Sequence, residues 1–183
     1  SSNPVRGTRR MASQPKNRRL SHDEIKRLGH ALRQLAQEGE NPTPLAAIEF
    51  IALTGFRRSE ALLLENGWIA DDYRSVRFPD TKTGKQTRII GEAATDVIKR
   101  QQKLRRSTFV FPADYTDGTF VGLPRVLIRV LKLANIEGVS LHTFRHTFAS
   151  IAAELGFSEL TIAGLLGHAS TGVTQRYIHI DEA

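Results

Sequence analysis

Tyr177 stands nine residues after His168, and His168 is preceded by a His-x-x-Arg pair, His142 and Arg145. Upstream, Thr54-Gly55-Phe56-Arg57-Arg58-Ser59-Glu60 supplies a second arginine, and Thr81-Lys82-Thr83-Gly84-Lys85 a lysine beside a turn. Together these are a phenol nucleophile, two planar cations, two imidazoles and an ammonium group, the parts needed to attack a phosphodiester without a metal. A phosphorus centre under attack gathers negative charge on its non-bridging oxygens, and two fixed guanidiniums complement that charge. The carboxylate clusters of two-metal nucleases have no counterpart here, and Asp71-Asp72 reads as a hairpin turn.

Each motif alone has an ordinary explanation. Arg57 and Glu60 are three apart and can pair on a helix, as any surface ion pair does. If a helix starts near Arg57, its first backbone N–H groups also face an anion. Lys82 and Lys85 flank a turn, where lysine commonly serves solubility. On a helix starting near residue 142, Phe144, Phe148, Ile151 and Leu155 form an apolar stripe that should face the core. His142, Arg145 and His146 fall on an adjoining face, with room left by Ala149 and Ala153.

The elements that must carry these residues are mostly helical. Order begins at Leu20, where Ser21-His22-Asp23-Glu24 is a capping box opening a helix through about Gln37. Pro42 and Pro44 open a second helix, Leu45 to Leu53, apolar on all sides and so expected at the centre; Gly55 ends it. A third runs from Arg58 to Glu65, stopped by Asn66-Gly67. Short strand-like runs follow at Trp68-Ile69, Tyr73 to Phe78 and Gln86 to Ile90, which predicts a small three-stranded antiparallel sheet. Helices then follow at about Ala93 to Arg105, Leu123 to Ala134, Thr143 to Leu155, Glu159 to Leu166 and Thr171 to Ile180. The fold class is mainly α with a small sheet.

Lysine and arginine number 26 against 19 acids in 183 residues, a formal charge of +7, so the expected partner is a polyanion. No apolar run approaches the roughly 20 residues needed to span a bilayer, so a soluble protein without a membrane partner is expected. There are no cysteines, which removes disulfides and thiolate metal sites and fits a reducing cytoplasm. Residues 1–19 carry only basic charges, broken by Pro4, Gly7 and Pro15. They read as an arm or linker able to lie on phosphates, with one domain over 20–183.

Taken together, Thr-Gly-x-Arg-x-Ser-Glu, Lys-Thr-Gly-Lys, His-x-x-Arg-His, Leu-Gly-His and the final tyrosine occur in one order with compact spacing. This resembles the catalytic domain of the tyrosine recombinases, the phage integrases and chromosome-dimer resolvases. The resemblance implies that Tyr177 is the nucleophile and that Arg57 and Arg145 clamp the scissile phosphate. It makes Lys82 the general acid for the leaving 5′-oxygen, has His142 and His168 assist at the phosphate, and puts Glu60 and His146 in supporting places. Lys85, Arg88 and Arg176 are expected to contact DNA.

The implied function is site-specific cleavage and rejoining of double-stranded DNA through a 3′-phosphotyrosine link, with no metal or other cofactor, by a homo-tetramer on two duplexes. A type IB topoisomerase and a non-cutting DNA-binding module of the same fold are the alternatives. The chain is expected to be the catalytic part of a longer protein whose N-terminal DNA-clamping domain it lacks. Trp68 comes late relative to the family pattern, which leaves the first strand's register open.

Overall fold

The computed structural model describes residues 18–79, 85–104 and 107–167. Its centre is the helix α2 (Pro42–Thr54), which packs against five others. Those are α1 (His22–Gln37), α3 (Arg58–Leu62), α4 (Glu92–Leu104), α5 (Leu123–Leu133) and α6 (Leu141–Glu154). A last helix, α7 (Glu159–Leu166), packs on α6 and on the strand β2 (Gln86–Ile89). Pro42 sits in the first turn of α2, and the Asn41 side chain accepts from the Thr43 N–H at 3.0 Å. With Ala47, Ile48, Phe50 and Ile51 all wholly buried, α2 has no polar face, so other helices must surround it.

Helices α1, α4 and α5 are amphipathic, and side-chain capping boxes open α1 and α6. Ser21 and Glu24 form a reciprocal box at α1, with Glu24 N–H to Ser21 Oγ at 3.2 Å and Ser21 N–H to Glu24 Oε2 at 2.8 Å. Ser140 and Thr143 do the same for α6. Thr147 on α6 accepts the Leu20 N–H at 2.9 Å, which ties the start of the domain to the helix carrying Arg145.

Among the described residues the sheet has two strands, one fewer than expected. β1 (Ser75–Phe78) pairs antiparallel with β2, Val76 opposite Arg88 and Phe78 opposite Gln86. The first of the three expected strands is instead a single 3₁₀ turn at Asn66–Trp68 followed by one isolated bridge, Ile69 to Val76. Asn66 explains this: its N–H bonds the Thr108 carbonyl at 2.8 Å, and its side-chain amide donates to Ser107 O at 2.8 Å and Phe109 O at 3.3 Å. Those bonds commit the chain to the segment after α4 and leave too few residues to extend a third strand. Trp68 packs on Phe78, ring centroids 5.7 Å apart, at one end of an aromatic chain that runs through Phe56 and Phe50 to Phe111.

The apolar stripe on α6 is also only partly core. Phe144 is buried, but Phe148 and Ile151 are half-exposed and Leu155 is 72% exposed. With Leu53, Ile89, Phe157 and Leu160 they line an apolar groove of about 690 Å³. At the start of the described residues, Arg18 pairs with Glu24 and the Glu137 carbonyl, and Arg19 with Glu154. The predicted helix at Thr171 to Ile180 lies outside the described residues. Among the described residues, no helix is long and apolar enough to cross a membrane.

Gly55 is where three helices meet. It ends α2 at φ +66°, and a Cβ there would lie 2.8 Å from Leu166 Cδ2 and 3.0 Å from Phe148 Cδ1. Gly55→Ala should therefore cost more than the roughly 1 kcal/mol of backbone strain alone. Gly39→Ala is the control, because Gly39 has φ +85° with nothing within 4 Å of a Cβ. Urea denaturation should show the larger loss for Gly55→Ala; equal losses would mean the junction has slack.

Candidate active site

Arg145 projects from α6 into the interior, where it is only 5% exposed. Its Nη1 donates to Gly55 O at 2.8 Å and its Nη2 to Leu166 O at 2.7 Å. Both acceptors close helices, Gly55 capping α2 and Leu166 ending α7, so the cation meets the negative ends of two helix dipoles. Burial, and next the charge of Arg57, lower its pKa from 12.5 to about 10, still far enough above neutrality to keep it cationic.

Arg57 follows Gly55 by two residues and N-caps α3. It is half-exposed, and its Nη1 lies 2.7 Å from Glu60 Oε1. The Glu60 side chain also reaches back to the Arg57 N–H at 2.8 Å. The helix start near Arg57 therefore does not offer that N–H to an anion; Glu60 has taken it. Burial alone would raise the Glu60 carboxyl, but hydrogen bonds from Arg88 and from the Arg57 backbone outweigh it and hold the pKa at about 2.

His142 and His146 are exposed on α6, one turn apart, with rings edge to face at 4.5 Å. Burial first, then the nearby charges of His146, Arg145 and Arg57, lower the His142 pKa, so the neutral imidazole is favoured. Arg57, Arg58, His142 and Arg145 line one cleft of about 410 Å³, walled by Pro124 and Leu127 of α5. Such a cleft presents three guanidiniums and a neutral imidazole to an anion. Among the described residues, no group of histidines and acids is placed to hold a metal.

Of the residues expected at the site, Arg57, Glu60, His142, Arg145 and His146 are thus brought together. Lys82, His168, Arg176 and Tyr177 lie outside the described residues. Lys85 is exposed beside β2, as a DNA contact requires. Arg88 is not placed as expected. It is 2% exposed, with Nη1 to Glu60 Oε2 at 2.8 Å and Nη2 to Glu60 Oε1 at 2.9 Å, and it reaches no solvent through which to meet DNA. The sequence held a sign of this: Arg88 shares its strand parity with buried Ile90, not with exposed Ile89. The carbonyl partners of Arg145 had no such sign, since main-chain acceptors leave no mark on residue type.

A carboxyl held near 2 when folded, against 4.5 ordinarily, stabilises the fold fully above pH 4.5 and loses that contribution as pH falls through 2. The melting temperature should therefore drop across this window. Glu60→Gln should make the drop shallower without abolishing it, because Glu24, bonded to Arg18, is also held at about 2. Identical pH profiles for the two proteins would contradict the role given to Glu60.

The phage integrase family model matches residues 18–183 of this chain. Tyrosine recombinase XerD of Listeria innocua is 32% identical over 166 residues, covering 80% of this chain and 55% of the relative. The integrase of Salmonella phage P22 is 30% identical over 182 residues, covering 91% and 46%. The chain thus spans about half the length of the curated relatives it matches. A crystal structure of XerH site-specific recombinase bound to difH substrate superposes with a TM-score of 0.68 at 16% identity, over 90% of this chain and 53% of that one, so the two share a fold. In sequence and in architecture, then, this chain belongs to the phage integrase family.

Proposed function

We propose that this chain is the catalytic domain, from about residue 20 to 183, of a site-specific recombinase that cuts and rejoins double-stranded DNA through a 3′-phosphotyrosine intermediate. The observation that carries the reading is the pair Arg57 and Arg145 beside His142 in one cleft, each arginine held by named acceptors. The XerH structure, described as a recombinase bound to its difH substrate, supports DNA as the partner, and so does the +7 charge. Work on chromosomal or phage DNA places the protein in the cytoplasm. Exchange between two duplexes calls for four such domains, hence a homo-tetramer.

In this reading the scissile phosphate enters the cleft and its non-bridging oxygens meet the two guanidiniums. Arg145 comes pre-oriented, since two of its five N–H groups are already spent on main-chain carbonyls. The Tyr177 oxygen attacks phosphorus, forming the O–P bond as the P–O5′ bond breaks. The phenolic proton leaves to a neutral imidazole or water, and Lys82 supplies a proton to the departing 5′-oxygen. Rejoining is the reverse, with a 5′-hydroxyl as nucleophile. One phosphodiester is exchanged for one phosphotyrosine ester, so no external energy source enters.

Tyr177→Phe should bind DNA as the wild type does and form no covalent adduct with a nicked suicide substrate. Arg57→Lys and Arg145→Lys keep the charge but lose the planar fork, and each should slow adduct formation about 10²–10³-fold. Adduct from the Phe variant would refute the nucleophile. For the general acid, Lys82→Ala should recover most of its rate when the bridging 5′-oxygen is replaced by sulfur, a leaving group that needs no proton. Rescue of Lys85→Ala instead would move the role to that lysine.

A further inference from the structure

Arg88 is the most deeply buried charge among the described residues, and phosphate contact does not explain it. Its guanidinium packs against a touching pair of rings, 5.0 Å from the Phe56 centroid and 4.8 Å from that of Phe78. Both Glu60 oxygens accept from it, and Gln86 Oε1 accepts a further bond from Nη2 at 3.1 Å. Its Nε–H has no acceptor among the described residues. A buried ion pair with one donor unsatisfied is a poor way to gain stability, and apolar side chains of equal volume commonly do as well. Its effect is geometric.

We infer that Arg88 is a positioning residue for the phosphate clamp, acting through Glu60 on Arg57. The planar fork fixes both carboxylate oxygens at once. Each oxygen then accepts a second donor from Arg57, Oε1 the Nη1 at 2.7 Å and Oε2 the backbone N–H at 2.8 Å. Four donors thus share one carboxylate, two from the buried arginine and two from the half-exposed one. Without Arg88, Glu60 could rotate about its terminal bond and Arg57 would lose the fixed carboxylate that holds it. A second contact extends the effect across the cleft. A Cβ on Gly167 would fall 2.1 Å from Arg88 Cζ, so the guanidinium packs directly on the glycine that precedes His168 and follows the Leu166 carbonyl bound by Arg145.

The inference rests on the recombinase reading of Arg57, and its test separates the two. Single-turnover cleavage of a nicked suicide substrate would compare the intact protein with Arg57→Lys, Arg88→Lys and the double variant. Arg88→Lys should slow adduct formation on the order of 10- to 100-fold, as misplacement of a clamp does. DNA affinity should stay within about twofold, because a buried group makes no phosphate contact. The double variant should be no slower than Arg57→Lys alone. On a substrate whose scissile phosphate is a neutral methylphosphonate, the Arg88→Lys deficit should shrink together with that of Arg57→Lys.

Losses that multiply in the double variant, or an equal Arg88→Lys deficit on both substrates, overturn the inference and leave Arg88 a packing residue. A fall in DNA affinity overturns it in favour of direct contact. If Arg88→Lys does not fold, Glu60→Gln takes its place in the same comparison with the same outcomes. Apart from DNA, the Arg57 Nη resonances should be resolved in the wild type and averaged in the variant; resolved signals in both overturn the inference. Averaging in the variant, with no adduct from the wild type, sinks the recombinase reading and leaves the positioning role intact.

Discussion

The Arg145 guanidinium reaches from α6 to the carbonyls of Gly55 and Leu166, and the position of the cleft follows from those two bonds. A buried cation must be compensated, and the negative ends of α2 and α7 supply what water would have supplied. The same bonds fix the turn before Arg57 on one side and the approach to His168 on the other. Gly55 makes the approach possible: only a residue without a Cβ fits between Leu166 and Phe148 at φ +66°.

Around that anchor the charges are arranged to keep guanidiniums close together. Arg57, Arg88 and Arg145 repel one another, and one carboxylate, Glu60, offsets two of them directly. This leaves an excess of positive charge at the cleft, which suits an anion entering from solvent better than a neutral, fully paired cluster would. The neutral form favoured for His142 fits the same surroundings: burial and the neighbouring positive charges both disfavour a proton on the imidazole.

Much of the helical fold was legible because its signals are local. The capping box at Ser21, the prolines opening α2 and the apolar content of α2 each act within a few residues, and each element forms where those signals lie. The sheet was misread because Asn66 spends its hydrogen bonds on residues 107–109, a choice made some 40 positions away. The α6 stripe was misread for a related reason. Periodicity reports that Leu155 is apolar and on one face, not that another element covers that face.

By itself the sequence determined which residue types are available to the proposed site and the order in which they arrive, since residue type and spacing are written in the chain. It also determined the pairing of Arg57 with Glu60, which a single helical turn enforces. Tertiary structure alone decided which arginine faces solvent and which is enclosed. Arg57 and Arg88 are the same residue type 31 positions apart, yet one opens on the cleft and the other is buried against Phe56 and Phe78. That difference is set by long-range burial: strand parity with Ile90 marks Arg88 as facing inward, but the partners that enclose it come from distant parts of the chain.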